Sequence, residues 1–207
     1  TRLSTSNTRL RTQRHRYMVS ISIIGTAGRQ GADRHLNKTV FSKMVVEARR
    51  IVVEEWKLDP SRVELVSGGA AWSDHVAVGV WATWISETIA TQPRLALHFP
   101  ARWDPRAMRF NDSTDAGRTS NHYHRLFSDA MGESSLKELL GAISLGATVV
   151  DTYDGFFARN DAVARSEYMI AFGLEPVGPP RKSGTGYTWS RCKTSATKKR
   201  YVQIGTL

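Results

Sequence analysis

The chain has 207 residues, of which 41% are hydrophobic and 23% are charged, a balance that is typical of globular domains. This composition excludes a disordered or fibrous protein, and no apolar run approaches the roughly 20 residues that span a bilayer, so we expect no membrane partner. The single cysteine, Cys192, excludes an internal disulfide framework and a cysteine-based metal site, and it favours a reducing compartment.

The net charge of +10 is concentrated at the two ends of the chain. Residues 1–17 contain arginines and no acid, and residues 181–207 contain lysines and arginines and no acid. Between these segments the 19 acidic residues slightly outnumber the remaining basic ones. Contacts with nucleic acid or with a larger assembly are therefore expected of the basic termini and not of the body.

Residues 1–17 are rich in Arg, Ser and Thr and show no apolar periodicity. We predict a disordered basic extension here, followed by a domain over residues 18–207, with Met18 as a natural start. A mitochondrial targeting segment is the alternative, because transit peptides have the same composition. The expected localisation is cytoplasmic, or mitochondrial if residues 1–17 belong to a targeting segment.

Apolar strands and amphipathic helices alternate along the rest of the chain. The predicted elements are a strand at 17–24, a helix capped by Asn37, a strand at 63–66, a helix at 72–90, a strand at 95–99, a long polar loop at 101–131 with a short helix around 123–130, a helix at 136–145, a strand at 147–150, a helix at 158–166, a strand at 168–172, a short helix from Tyr187 and a strand at 201–204. This alternation predicts a single-domain α/β fold, a three-layer Rossmann-like open sheet that is mostly parallel, with helices on both faces.

Three glycine-rich segments lie at predicted turns of this fold: residues 25–29, 67–70 and 183–186. Any tight strand-to-helix turn needs glycine, so one such loop alone indicates little. Three of them favour a cleft at the carboxyl ends of the strands, where backbone amides and helix N-termini attract a phosphate.

Several motifs then resemble, in order and spacing, those of the SLOG superfamily, over about residues 18–205. They are the 25–29 loop, residues 66–70 with Asp74, residues 99–104, Arg159 with Asn160, and residues 183–185 with Thr188 and Trp189. The superfamily includes the LOG-type phosphoribohydrolases, often labelled lysine decarboxylases, and the molybdenum-cofactor carrier proteins.

The resemblance implies a pocket for a nucleotide or nucleotide-derived phosphate ligand, and a homodimer. The implied binding residues are Gly25, Thr26, Gly28, Arg29, Gly68, Gly69, Asp74, Arg159, Asn160, Ser183, Gly184 and Thr185. Gly68 and Gly69 would line the floor of the pocket, and Arg159 would contact phosphate. An ordinary helix-start carboxylate is the alternative for Asp74, and a surface salt bridge is the alternative for Arg159.

The chain departs from the catalytic members in its last glycine loop. LOG-type hydrolases follow that loop with a glutamate, whereas this chain has no acid after Glu175. Cleavage of an N-glycosidic bond needs a carboxylate, so an enzyme would have to use another acid. The candidates are Glu167 and Asp74, and also Asp151, Asp154 and Asp161.

Three hypotheses therefore remain. The first is a binding protein, acting as a sensor, a carrier or a weakly catalytic relative. The second is a nucleotide phosphoribohydrolase. The third is a subunit of a larger assembly that uses its basic tails while the ligand site is idle.

Histidines in and near the predicted long loop offer weaker signals. His122 and His124 lie two residues apart, but no third metal ligand is evident, so a solvated loop or a flap over the ligand is the preferred interpretation. We expect His98 to be a hydrogen-bonded core residue. For Trp103, packing in the core is the preferred interpretation, and stacking on a base is the alternative.

Overall fold

The computed structural model describes residues 17–29, 31–87 and 92–207. Its strands, in chain order, are β1 (Val19–Gly25), β2 (Val63–Ser67), β3 (Arg94–His98), β4 (Trp103–Asp104), β5 (Arg109–Phe110), β6 (Thr148–Val150), β7 (Tyr168–Gly173) and β8 (Lys199–Gln203). Its α-helices are α1 (Lys38–Arg50), α2 (Val76–Glu87), α3 (Asp115–Met131), α4 (Ser135–Ser144), α5 (Gly155–Val163) and α6 (Gly184–Arg191). A π-helical turn, Ile51–Glu55, extends α1, and short 3-10 turns cover Ala32–His35, Pro60–Arg62, Ala196–Lys198 and Ile204–Thr206.

Six strands form one parallel sheet in the order β6-β3-β2-β1-β7-β8, and β4 and β5 form a separate antiparallel pair. The predicted α/β fold with a Rossmann-like sheet is confirmed. β1 lies between β2 and β7, and its residue Ile23 pairs with Ser67 on one side and with Ile170 on the other. The chain therefore moves outward in one direction through β2, β3 and β6, and in the other through β7 and β8.

The alternation of side chains along the strands builds two unequal cores on the two faces of the sheet. Ile23, Leu65 and Leu97 face a large core that also contains buried residues of α1, α2 and α4. Their neighbours Ile24 and Val66 face a smaller core, which includes Val163 of α5 and Cys192 after α6. Helices thus cover both faces, as the predicted three-layer architecture requires.

Local signals fix several helix starts. Asn37 accepts a hydrogen bond of 3.0 Å from the Val40 amide and caps α1, as predicted. The helix predicted over 72–90 begins later, at Val76, and the last helix begins earlier than predicted, at Gly184.

The predicted long loop at 101–131 is wrong. This segment contains the β4–β5 pair and the 17-residue helix α3. α3 turns a stripe of Ala116, Ser120, His124 and Phe127 toward the interior. Because two of these buried positions are polar, the stripe does not look apolar in the sequence.

The basic C-terminal segment is part of the fold and not a free tail, since it forms α6 and β8. Lys199 donates to the carbonyl oxygens of Trp189 and Cys192 at 2.6 and 3.3 Å, and Arg200 forms an ion pair with Glu55. Apart from Tyr17, the predicted N-terminal extension lies outside the described residues. In the part of the chain that the structure describes, no helix is both long enough and apolar enough to cross a membrane.

Candidate functional site

A cleft of about 830 Å³ opens at the carboxyl ends of β1 and β7. It lies where these two neighbouring strands lead to helices on opposite faces of the sheet, because the chain turns from β1 toward β2 and from β7 toward β8. Ligands of open α/β sheets bind at such a switch point, where the connecting loops separate and leave a crevice.

Most of the predicted binding residues meet in this cleft. The predicted residues that line it are Gly25, Thr26, Arg29, Asp74, Arg159, Asn160, Ser183, Gly184 and Thr185. They come from the loop after β1, the segment before α2, the middle of α5 and the start of α6. What these residues bind stays a prediction.

Asp74 and Arg159 form a buried ion pair at the base of the cleft. Arg159 Nη1 lies 2.8 Å from Asp74 Oδ2, and the two residues are only 6% and 4% exposed. Burial raises the pKa of the Asp74 carboxyl and lowers the pKa of the Arg159 guanidinium, and the opposite charge of each partner counters this change. Asp74 therefore stabilises the Arg159 guanidinium at a buried position where desolvation would make an unpaired cation unfavourable.

One polar atom of this pair is not satisfied. The Nε of Arg159 is buried, and no hydrogen-bond partner for it exists among the described residues. Buried polar atoms in native proteins are nearly always paired, so an atom of this kind indicates a missing partner. Arg159 also lines the cleft, so its guanidinium lies beside a bound group, although the Nε itself is shielded from the cleft.

Gly68 and Gly69 do not line the cleft, which corrects the prediction of a glycine floor. A Cβ on Gly68 would overlap the Arg159 guanidinium, so this glycine makes room for the ion pair. Gly69 has a φ of +67°, and a Cβ there would overlap the Phe99 ring. Gly28 is also outside the lining residues, because its α-carbon faces the Trp72 indole, 3.0 Å from where a Cβ would lie.

A second cation, Arg29, is held at the cleft by two aromatic rings. Its guanidinium carbon lies 5.0 Å from the centroid of Tyr123 and 5.2 Å from that of Phe156. Phe156 is also 5.8 Å from the guanidinium carbon of Arg159. The positive charge of Arg29 helps to lower the pKa of Arg159, although burial is the larger cause. Two guanidinium groups thus share one cleft.

The first turn of α6 adds backbone donors. The Ser183 hydroxyl accepts a hydrogen bond of 2.9 Å from the Gly186 amide and caps the helix. The amides of Gly184 and Thr185 precede the first intrahelical bonds and are left for another acceptor. The Asn160 amide nitrogen lies beside them, 3.8 Å from the position of a Cβ on Gly184.

Comparison with known proteins gives one informative relative. The chain is 30% identical over 177 residues to the uncharacterized protein R261 of Acanthamoeba polyphaga mimivirus, and the match covers 84% of this chain and 91% of the viral protein. This chain belongs to the same family as that viral protein. No family model matches the sequence.

Glu167, the first acid that the sequence offered for a hydrolytic reaction, lies at the edge of the sheet opposite the cleft. It directly precedes β7, so it is at the amino ends of the parallel strands, whereas the cleft is at their carboxyl ends. Its carboxylate accepts hydrogen bonds from the Tyr17 hydroxyl at 2.5 Å and the Ser20 amide at 3.2 Å. Glu167 is therefore a structural residue.

Of the other acids named from the sequence, only Asp74 lines the cleft, and it is engaged with Arg159. Asp151 accepts from the Trp103 amide at 3.0 Å, and Asp161 accepts from the Tyr187 hydroxyl at 3.0 Å. Asp154 occupies the position before α5 and does not line the cleft.

The sequence reasoning missed Glu175, which lines the cleft in the loop after β7. It was regarded only as the last acid of the chain. Its position two residues after β7 is the signal that could have identified it, because residues that follow the strands of a parallel sheet lie at the ligand-binding edge.

The histidines are structural. His124 is fully buried, with Nε2 3.0 Å from the Gly69 carbonyl oxygen and Nδ1 2.9 Å from the Ser135 hydroxyl. The interpretation of His122 and His124 as part of a solvated loop or flap is therefore wrong for His124. Among the described residues no group of three His, Cys, Asp or Glu side chains could hold a metal ion.

His98 and Trp103 are both half-buried at the margin of the core. His98 Nδ1 lies 2.7 Å from the Tyr153 hydroxyl, and burial, followed by the charge of Arg159, lowers the pKa of the imidazole. The Trp103 ring packs between Phe99 and Phe110, at centroid distances of 5.7 and 5.2 Å, so the core interpretation holds for it.

Proposed function

We propose that the cleft binds a phosphorylated, nucleotide-derived ligand and that the protein is a SLOG-type sensor, carrier or weakly catalytic relative. The observation that carries this proposal is the Arg159 guanidinium, which lines the cleft together with a second guanidinium, that of Arg29. A phosphate oxygen is a suitable acceptor for it, since arginine forms directional, charge-assisted hydrogen bonds with phosphate.

The charge of the cleft supports an anionic ligand. Its lining residues include four arginine and lysine side chains, namely those of Arg29, Arg159, Arg181 and Lys182, but only two carboxylates, those of Asp74 and Glu175. The start of α6 contributes unpaired amides and the positive end of a helix dipole to the same cleft. Cations and amide donors that converge in this way favour a phosphate over a neutral group.

Thermal unfolding with a panel of nucleoside mono- and diphosphates, ADP-ribose and the matching free nucleosides tests the proposal. A phosphorylated ligand at about 100 times its dissociation constant adds roughly 2.7 kcal/mol to the stability of the folded state. The free nucleoside is expected to add little, because Arg159 and the α6 amides act on the phosphate.

Arg159→Gln combined with Asp74→Asn, which leaves no buried charge without a partner, should abolish the stabilisation by phosphorylated ligands. Arg62→Ala is the matched control, because this exposed arginine precedes β2 and lies at the opposite edge of the sheet. Stabilisation by nucleosides and nucleotides alike, or none by any phosphorylated compound, would contradict the proposal.

A second candidate function is hydrolysis of an N-glycosidic bond, and the position of Glu175 is what favours it. This residue is an exposed acid of the cleft, and a carboxylate there could activate water to attack the sugar carbon while the base leaves. We nevertheless expect little or no release of base from nucleoside monophosphates. Steady turnover that Glu175→Gln abolishes and Glu167→Gln leaves unchanged would establish the hydrolase instead.

A further inference from the structure

A large aromatic side chain is exposed at the cleft. Phe157 of α5 is 67% exposed, although its neighbour Phe156 is half-buried under the two arginines. Among the exposed large apolar side chains of the described residues, Phe157 is the one that lines this cleft. The Phe157 ring is therefore available for contact with a ligand that occupies the cleft.

Phe157 is braced by a second ring, that of Tyr187 in α6. The two ring centroids are 5.1 Å apart, with an interplanar angle of 76°, in the edge-to-face arrangement that aromatic pairs prefer. The Tyr187 hydroxyl donates to Asp161 at 3.0 Å, and the Arg191 guanidinium carbon lies 5.2 Å from the Tyr187 centroid. Tyr187 is thus held by groups outside the cleft, and it limits the movement of Phe157.

These two rings lie one helical turn from the groups that attract an anion. On α5, Phe157 is three residues before Asn160, and on α6, Tyr187 is three residues after Gly184. Residues three apart share a helix face and are separated by about 4.5 Å along the axis. A pentose can bridge such a separation, with a phosphate at one end and an aromatic ring at the other.

We propose that Phe157, braced by Tyr187, forms the subsite for the aromatic heterocycle of the ligand. The cleft then selects phosphorylated compounds that carry a base over simple sugar phosphates. This inference rests on the proposed function, because it takes the phosphate to be at the start of α6. Stacking on an aromatic side chain tolerates different bases, so the subsite selects for a flat ring and not for one particular base.

Calorimetric titration of the full chain with AMP and with ribose 5-phosphate separates the two subsites. Loss of the ring in Phe157→Ala should weaken AMP binding by roughly tenfold, as removal of a base-stacking side chain does. The affinity for ribose 5-phosphate should be unchanged. Phe157→Trp, which keeps an aromatic face, should retain AMP binding, and Leu145→Ala is the control for loss of an exposed apolar side chain outside the cleft.

The outcomes distinguish this inference from the proposal on which it rests. Binding of ribose 5-phosphate that is lost in the folded double variant Asp74→Asn with Arg159→Gln reports on the phosphate subsite alone. If Phe157→Ala leaves AMP binding unchanged, or weakens both ligands equally, the aromatic subsite is wrong and phosphate binding stands. If the wild-type protein binds neither compound, the aromatic subsite is overturned, and the wider panel of phosphorylated ligands decides the proposed function separately.

Discussion

The hydroxyl of Thr185 donates a hydrogen bond of 2.8 Å to the carbonyl oxygen of Gly25. It ties the first turn of α6 to the end of β1, although the two residues are far apart in the chain. The amides at the start of α6 are therefore fixed relative to the loop that carries Arg29. A binding site that is rigid before the ligand arrives loses less entropy on binding.

Removal of the cap of α6 should affect both stability and binding. Ser183→Ala deletes the hydroxyl that accepts from the Gly186 amide, and loss of such a cap costs about 1 kcal/mol of unfolding free energy. The freed first turn should also bind phosphorylated ligands more weakly. Urea unfolding and calorimetric titration measure the two effects.

The matched control for this change is Ser134→Ala. Ser134 caps α4 through the Lys137 amide at 3.4 Å, and it does not line the cleft. We expect a similar loss of stability with unchanged ligand affinity. An equal loss of affinity in both variants would mean that the cap of α6 acts only through global stability.

Asp74→Asn should be strongly destabilising, because it leaves the buried guanidinium of Arg159 without its counter-charge. Breaking a buried ion pair by removal of one partner costs about 3–5 kcal/mol. The double variant Asp74→Asn with Arg159→Gln removes both charges and should recover part of this stability without recovering ligand binding. Chemical denaturation of the three proteins gives the comparison, and an equally unstable double variant would show that the pair's geometry, and not its charge, is essential.

Gly68→Ala should displace Arg159, since the added methyl group would occupy the space of the guanidinium. We expect a loss of more than 1 kcal/mol of stability, as for other strained or overpacked sites, together with weaker phosphate binding. Gly141→Ala is the control, because nothing lies within 4 Å of the added Cβ in α4. In a helix this change should stabilise the protein by about 0.5–1 kcal/mol. Unfolding curves that show the same sign for both variants would contradict the assignment.

The buried His124 should make the protein less stable in acid. Burial lowers the pKa of its imidazole to about 3 from an ordinary value of 6.5, with a further contribution from the nearby His75. The unfolded chain therefore binds a proton between these values that the folded chain does not, so stability falls as the pH drops from about 6.5 toward 3. The slope is up to about 1.4 kcal/mol per pH unit.

Urea unfolding between pH 7 and pH 4.5 measures this slope. His124→Gln keeps a polar side chain but removes the titrating group, so its stability should depend less steeply on pH. If the wild-type protein and this variant have the same slope, the acid sensitivity comes from other groups.

The parallel sheet could be predicted from the sequence, because its central strands are short, largely apolar segments that end at glycine or polar turns and alternate with helices. The full length of helix α3 could not be predicted from the sequence, because two of its buried positions are the polar residues Ser120 and His124. His124 is tolerated there only because Gly69 and Ser135, from distant segments, satisfy its ring nitrogens. Thr114 as the cap and Gly132 as the terminating residue were the local signals that mark its ends.

The candidate site could likewise be predicted from the sequence only in part. The glycine-rich segments after β1 and at the start of α6 lie at one cleft, as their pattern in the sequence led us to expect, and what they bind stays a prediction. The role of Gly68 depends on where Arg159 lies, and no local pattern contains that contact. Glu167 directly precedes β7, so its place in the sequence already indicated that it lies at the amino end of this strand, away from the cleft.

The central position of β1 has a consequence for folding kinetics. β1 pairs with β2, which is near it in the chain, and with β7, which is far from it in the chain. In the second pair Ile21 is opposite Tyr168. Contacts between such distant residues form slowly, because a long loop must close before they gain any stabilisation. The cleft lies at the carboxyl ends of β1 and β7, the strand pair that we expect to form late. We therefore expect an intermediate with β2 and β3 already paired to β1 to be unable to bind the ligand, so that a ligand slows unfolding of the native state without accelerating refolding.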